Sequence, residues 1–447
     1  MENEKVLYQT SPAVFYRNYD GKIFLRNVAT RYEYHYNEIV GDILDILKTQ
    51  MNFEDLISRL SDIYRVKNAE EFRKDIKDFL NNLVQKSVVL SDERANSSPH
   101  RSVFQQMTDS HNAKRQFWSA CLEITYRCTE KCRHCYLDDE GNHCKVDELT
   151  FEEYKKVVDE LYEMGCMNIL VTGGEPTLHP DFLKICRYIV DKGILLDVFT
   201  NALYIPDDMF EALCDMHLNC ISFSLYGGSP EFHDYITQVP GSFHKTLHNI
   251  LKFKAAGLDL YVKTILFKDK YDEWLKLDAL AQRLNFRLNT GTFLLSTREK
   301  GDRCHMMQTD DEYRQYLRLC RSREQGPRII PQRNVESFIC TAGRSSLAIT
   351  ANGDVRPCAS VPYVLGNVRI DSLKDIWESE KLMTFYKFKY TDLDPACKDC
   401  KYANHCSICL GDAYDEKTGK LSKCSYTCRH AKLRYEEDIT QQTNTLE

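Results

Sequence analysis

From Phe117 to about residue 294 the chain alternates between strand-like and helix-like segments. Strands are predicted near 120–126, 168–172, 194–200, 219–225, 259–267 and 286–294. Helices are predicted over 150–164, 180–192, 207–216, 242–256 and 271–284. Such alternation implies βαβ units and a parallel sheet. About six units are visible, fewer than the eight of a closed barrel. In parallel α/β architectures ligands sit at the carboxyl ends of the strands. The loops at those ends carry a cysteine run, Gly173-Gly174-Glu175-Pro176, Thr200-Asn201 and Ser222-Phe223-Ser224.

The cysteine run follows the first strand and places Cys128, Cys132 and Cys135 in a C-x3-C-x2-C spacing. A [4Fe–4S] cluster usually takes four protein thiolates. A local site offering three leaves one iron free for something that is not protein. The alternative is a structural zinc site, for which His134 or Cys144 would be the fourth ligand. Together, the cysteine run and the Gly173-Gly174-Glu175-Pro176 loop resemble the radical S-adenosylmethionine (SAM) superfamily. The resemblance implies an open six-stranded partial barrel, whose free iron chelates the amino and carboxylate groups of SAM's methionine end. By the same resemblance Gly173, Gly174 and Glu175 contact the methionine amine. Asn201, Ser222 and Ser224 are candidates for the ribose or carboxylate, and Lys263 is another possible carboxylate partner.

Nineteen cysteines in a chain that begins Met-Glu-Asn-Glu-Lys, with no export signal, are a poor disulfide framework and a good metal-binding one. Cys166, Cys186, Cys214 and Cys220 lie in apolar patterns and are expected to be small buried hydrophobes. A second concentration comprises Cys340, Cys358, Cys397, Cys400, Cys406, Cys409, Cys424 and Cys428. It resembles the SPASM extension, which carries two auxiliary [4Fe–4S] clusters. The resemblance assigns Cys397, Cys400, Cys406 and Cys428 to an outer cluster and Cys340, Cys358 and Cys409 to an inner one. Cys424 is an alternative to Cys428 or an inner ligand, and Cys304 or Cys320 would also close the inner site. A hairpin turn at Asn352-Gly353 is expected to bring Cys340 and Cys358 together.

Residues 1–90 read as a separate module. Strand patterns at Val14–Arg17 and Lys22–Arg26 flank the turn Asn18-Tyr19-Asp20-Gly21, a third follows at Arg31–Tyr36, and three helical patterns come after. Strands followed by three helices suggest a winged helix-turn-helix-like fold. The helices mix acidic residues such as Asp42, Glu54, Asp55 and Asp75 with their lysines, and the net charge is −7, so nucleic acid is not the expected partner. The module resembles the peptide-recognition element of ribosomal-peptide maturation systems, which implies that a leader peptide adds as a strand to a sheet edge. No apolar run reaches the roughly 18–20 residues that span a bilayer, and a cytoplasmic location is expected.

The expected organisation is a recognition domain at 1–90, a linker at 91–114, a radical SAM partial barrel at 115–310, a bridging segment at 311–339, a SPASM domain at 340–435 and a tail at 436–447. The whole resembles peptide maturases of the sactipeptide and ranthipeptide type, which implies a radical SAM oxidoreductase acting on a ribosomally synthesised precursor peptide. The implied reaction uses a 5′-deoxyadenosyl radical, made with electrons from a partner such as flavodoxin or ferredoxin, to form a bond between a cysteine sulfur and a carbon. A maturase that crosslinks carbons or epimerises residues on the same scaffold is the alternative, and a metal-dependent regulator is the alternative outside enzymes.

Overall fold

The computed structural model describes residues 6–91, 115–137, 147–294, 304–324, 330, 332–361, 363–415, 418–422 and 425–444. By its internal contacts the chain divides into two units, Met1–Ser110 with Gly193–Leu195, and His111–Lys192 with Leu196–Glu447.

In the first unit, strands β2 (Val14–Tyr19), β3 (Lys22–Asn27) and β4 (Tyr32–Asn37) form an antiparallel meander. Asp20 and Gly21 connect β2 to β3 with φ of 52° and 78°, the paired positive values that a two-residue hairpin turn demands. Helices α1 (Ile39–Ile46), α2 (Phe53–Ile63) and α3 (Ala69–Gln85) follow. The Asn52 and Asn68 side chains cap α2 and α3 by accepting the N–H of Asp55 and Glu71. Leu44, Leu56, Leu60, Leu80 and Leu83 form the sealed core. A second small sheet was not foreseen. It sets β1 (Leu7–Thr10) between β5 (Met51–Asn52) and β6 (Val89–Ser91), strands too short to carry a periodic signal. Apart from Ser91, the expected linker lies outside the described residues.

The second unit contains six parallel strands in chain order: β7 (Ser119–Thr125), β8 (Asn168–Gly173), β9 (Leu195–Thr200), β10 (Cys220–Ser224), β11 (Leu260–Ile265) and β12 (Arg287–Gly291). Between and beyond them run α4 (Phe151–Glu163), α5 (Phe182–Asp191), α6 (Asp207–Asp215), α7 (Pro230–Thr237), α8 (Ser242–Ala255), α9 (Tyr271–Leu284) and α10 (Asp310–Ser322). This is the expected α/β fold, an open (β/α)6 partial barrel. Strand side chains alternate in face. Leu122, Ile124, Ile169, Val171, Val198, Ile221, Phe223 and Val262 are fully buried. Glu123, Thr172, Phe199, Ser222, Ser224 and Lys263 occupy the intervening register.

Within the barrel, two features escaped the sequence reading. Helix α7 is one, although its signal is present: Pro230 takes the first turn, where its missing N–H costs nothing, and Ser229 caps it by accepting the Phe232 N–H. The other is an extension of the barrel sheet. Strand β13 (Ser346–Ile349) pairs in parallel with β7, and β14 (Asp354–Arg356) and β15 (Gly366–Asn367) follow it antiparallel. Among the described residues no helix is long and apolar enough to cross a membrane. Cys166, Cys186 and Cys220 are buried as expected, but Cys214 is only partly so.

Candidate functional site

Cys128, Cys132 and Cys135 converge in the loop that leaves β7. Each of the other two thiols adds to the electrostatic environment of Cys132. Cys128 is exposed and Cys132 and Cys135 are part-buried; burial, foremost, raises the Cys132 thiol. Metal coordination deprotonates a thiol outright, and three thiols brought together in one loop fit a cluster. The loop is fastened to the end of α7, where Lys131 N–H donates to Thr237 O and Arg133 N–H to Ile236 O, both at 3.0 Å. Gln238, in the left-handed region at φ 60°, adds a side-chain bond to Lys131 O. His134, the candidate zinc ligand, packs its ring against Tyr226 and Phe267. Cys144 lies outside the described residues.

The double glycine brings two backbone segments into direct contact. A Cβ on Gly173 would stand 2.2 Å from Thr125 O, and one on Gly174 would stand 2.5 Å from Arg127 O. The two glycines let the β8 loop lie directly on the start of the cysteine loop. There Gly174 N–H donates to Thr125 O at 2.7 Å and Glu175 N–H to Arg127 O at 2.8 Å.

Glu175 is 2% exposed. Its Oε1 accepts from Thr177 N–H (3.2 Å), Thr177 Oγ1 (2.7 Å) and Thr200 Oγ1 (2.7 Å), and its Oε2 accepts from Asn201 N–H (2.7 Å). Burial raises its pKa while these bonds lower it. Three donors on Oε1 and one on Oε2 make the side chain a brace that joins the β8 loop to the end of β9. Asn201 in turn reaches Thr129 Oγ1 at 3.3 Å and Cys128 Sγ at 3.7 Å. Glu175 and Asn201 therefore stand at the cysteine loop, with the Glu175 carboxylate acting on protein.

The remaining candidates spread along the barrel interior. Ser224 lies beside Tyr226, whose part-buried ring neighbours Cys132, Glu130 and Cys135. Ser222, one turn of the pleat earlier, neighbours Tyr261 and Cys220 instead. Lys263 sits with Nζ 3.1 Å from the Phe199 ring centroid, and burial lowers its pKa to about 8 against the opposing influence of Cys121, Cys220 and Asp197. None of those neighbours belongs to the cysteine loop.

Sequence reasoning passed over Glu130. It is 7% exposed, and Oε2 accepts from the Cys132 thiol at 3.2 Å. Burial pushes its carboxyl up to about 8, helped by Glu175 and Asp234. Among the described residues Oε1 has no hydrogen-bond partner. Its position inside the C-x3-C interval was the available signal.

In the second cysteine region, Cys340 and Cys358 approach each other as the hairpin reading expects. Gly353 takes φ 89° between β13 and β14, and Gly343 N–H bonds Pro357 O at 3.1 Å. Cys409 joins them. Each of the three thiols is raised first by burial, Cys340 to about 12, and each accepts backbone N–H groups: Ala342 and Leu410 at Cys340, Ser360 and Val361 at Cys358, Gly411 and Asp412 at Cys409. Donors aimed at sulfur suit a thiolate-bound cluster. Cys397 has Cys428, Cys406 and Cys400 around it, a separate group.

Cys320 lies with Tyr316, Arg323, Asp278 and Glu324 rather than with either group. Cys424 and the side chain of Cys304 lie outside the described residues. Among the described residues no three His, Cys, Asp or Glu side chains are arranged to hold a single metal ion; cluster thiolates each take a separate iron.

Residues 122–281 match the radical SAM superfamily, and residues 340–401 match the SPASM iron–sulfur cluster-binding domain. The antilisterial bacteriocin subtilosin biosynthesis protein AlbA of Bacillus subtilis is 25% identical over 432 residues, which cover 94% of this chain and 93% of AlbA. The AdoMet-dependent heme synthase of Methanosarcina barkeri is 27% identical over 320 residues, 65% of this chain and 90% of that protein. Streptococcus suis SuiB, in a crystal structure bound to precursor peptide SuiA, superposes with a TM-score of 0.58 over 94% of this chain and 99% of SuiB, at 17% identity, a likeness of fold.

Proposed function

We propose that this radical SAM enzyme, with its SPASM extension and its kinship to peptide maturases, joins cysteine sulfur to carbon within a ribosomally synthesised precursor peptide. Cys128, Cys132 and Cys135 would hold the SAM-binding [4Fe–4S] cluster. When bound, SAM and that cluster supply a 5′-deoxyadenosyl radical by reductive cleavage, with flavodoxin or ferredoxin as the electron source. Gly173, Gly174 and Glu175 would shape the floor of the SAM site, and Asn201 would fix the β9 end of that site against Cys128. Ser224 would face the cofactor through Tyr226. Ser222 and Lys263 would line the deeper interior.

The observation that carries the thioether reading is the inner thiol group. Among the described residues it consists of Cys340, Cys358 and Cys409, one fewer than a cubane takes from protein. A substrate cysteine would complete it, arriving as a thiolate because metal coordination removes its proton. Cys397, Cys400, Cys406 and Cys428 would hold the outer cluster and carry the surplus electron away. A peptide substrate is favoured over a small molecule because the relative spanning 94% of this chain is a bacteriocin biosynthesis protein, while the heme synthase relative spans 65%. The first unit would take the leader peptide as an added strand.

Mass spectrometry of a cysteine-bearing precursor encoded nearby and co-expressed with the enzyme tests the reading. A thioether removes a pair of hydrogens per bridge and protects a cysteine from alkylation. Unchanged mass, or lost hydrogens with every cysteine still alkylated, would sink it in favour of epimerisation or carbon–carbon crosslinking.

A further inference from the structure

We infer that Arg369 of the SPASM extension is a positioning residue for the SAM-binding cluster, acting through Glu148 and Arg127. The inference rests on Cys128, Cys132 and Cys135 holding that cluster and is independent of which bond the radical goes on to form.

Arg127 stands immediately before Cys128, and its carbonyl accepts the Glu175 N–H. Its side chain is held by Glu148, whose Oε2 accepts from Nη2 at 2.8 Å and whose Oε1 accepts from Nε at 3.3 Å. Glu148 Oε1 also accepts from the hydroxyl of Thr125, the last residue of β7. One carboxylate thus bonds residues on either side of the point where the chain leaves β7 for the cysteines. It braces that point only if its own backbone is fixed, and Glu148 lies outside regular secondary structure, just ahead of α4.

The SPASM extension, which includes Arg369, supplies the fixing. Leu149 N–H donates to Ala351 O at 2.8 Å, in the turn between β13 and β14. Arg369, two residues past β15, gives every guanidinium nitrogen to the same segment. Nε bonds Glu153 Oε1 at 2.6 Å, Nη1 bonds Asp147 O at 3.1 Å and Oδ2 at 3.0 Å, and Nη2 bonds Glu148 O at 3.2 Å and Glu153 Oε2 at 3.3 Å. These acceptor atoms equal in number the N–H donors of an arginine, and Glu153 also closes the capping box of α4 with Thr150. An exposed ion pair alone contributes little, whereas a planar fork with all its donors engaged fixes direction as well as charge. Arg369 is itself aimed by Asn367, whose Oδ1 accepts the Arg369 N–H at 3.0 Å and whose Nδ2 donates to Asn352 O at 3.1 Å and Asp354 Oδ1 at 3.0 Å. The contacts therefore run from the β14–β15 hairpin through Arg369, Glu148 and Arg127 to Cys128.

The test is reductive SAM cleavage by anaerobically reconstituted Arg369→Gln with dithionite as reductant, read as 5′-deoxyadenosine formed. Iron content is measured alongside, with the change that SAM causes in the electron paramagnetic resonance signal of the reduced protein. The cysteine loop keeps its bonds to α7, so iron content should be unchanged. Loosening the segment before Cys128 should slow cleavage by about tenfold or more and alter the SAM-induced signal. Glu148→Gln should show the same defect, and the double variant should be no slower than the slower single one, because both changes break one connection. Defects that multiply in the double variant, or wild-type cleavage in Arg369→Gln, would overturn the inference. Loss of auxiliary-cluster iron would overturn it too, because Arg369 would then be serving the SPASM fold alone. If Arg369→Gln does not fold, Arg369→Lys, which keeps the charge without the fork, must show the same slowing with iron retained or the inference fails. Wild-type protein unable to cleave SAM would sink the cluster assignment itself, whereas wild-type protein that cleaves SAM without forming a crosslink counts against the thioether reading alone.

Discussion

Glu175 Oε2 and the backbone N–H of Asn201 meet at 2.7 Å, which locks the loop after β8 to the end of β9. Asn201 passes the constraint on through its side chain to Thr129 and Cys128. Three strand ends are thereby held in one arrangement before any cofactor binds, the kind of support that keeps ligand thiolates in place.

Glu175→Gln should loosen that arrangement. Whichever way the amide is turned, its NH2 replaces an acceptor that now meets a donor, Asn201 N–H on one side or the threonine hydroxyls and Thr177 N–H on the other. Stability should fall by about 1–3 kcal/mol, and the reconstituted protein should hold less iron. Denaturant titration and iron analysis check both, and a variant matching wild type in each would show that the carboxylate is not a brace.

Gly174→Ala should be far more damaging than an alanine at a glycine that meets nothing. At Gly174 the new Cβ would lie 2.5 Å from Arg127 O and 2.6 Å from Tyr126 O, both backbone atoms. At Gly257, φ is 82° and nothing lies within 4 Å, so Gly257→Ala bears only left-handed strain of about 1–2 kcal/mol. Thermal unfolding of the pair, with iron content, reports the difference. Equal losses would mean that the β8 loop yields easily.

Cys358→Ala and Cys400→Ala address the two auxiliary groups separately. Each substitution should remove about four irons, the content of one cubane, and should leave reductive SAM cleavage in place. Crosslink formation should be lost in Cys358→Ala. The division of the cysteines would be wrong if either variant lost the iron of both groups.

The cysteine loop should also be acid-sensitive through α7. His233 on that helix is fully buried, its Nδ1 accepts the Tyr226 N–H at 3.1 Å, and burial lowers its pKa from 6.5 to about 4. The folded form therefore binds fewer protons than the unfolded chain between these values, and stability is lost as the pH falls from 6.5 towards 4. The loss from this group amounts to about 3 kcal/mol at most. Unfolding free energies across that range, compared with His233→Gln, should show a steeper pH dependence in wild type, and identical slopes would refute the assignment.

The barrel was legible because its evidence is local. Burial on alternate residues marks the strands and 3.6-residue periodicity marks the helices, so the predicted helix over 150–164 is found at Phe151–Glu163 and that over 271–284 at Tyr271–Leu284. The turn at Asp20-Gly21 was legible for the same reason. Helix α7 was not, because its eight residues are too few for a clear period beside the longer helix that follows. The second small sheet in the first unit and the β13–β7 pairing join segments far apart in the chain, and nothing within either partner announces the other.

The amino-acid order alone established which residues have the chemistry: three thiols in one loop, two further sets of cysteines downstream, and a pair of glycines at a strand end. Packing decided what each does. It pressed the glycines against the cysteine loop, brought four donors to Glu175, and gathered Cys340, Cys358 and Cys409 from separate segments. Spacing reports forces that act within a few residues, whereas hydrogen-bond satisfaction and desolvation depend on neighbours that only the folded chain assembles.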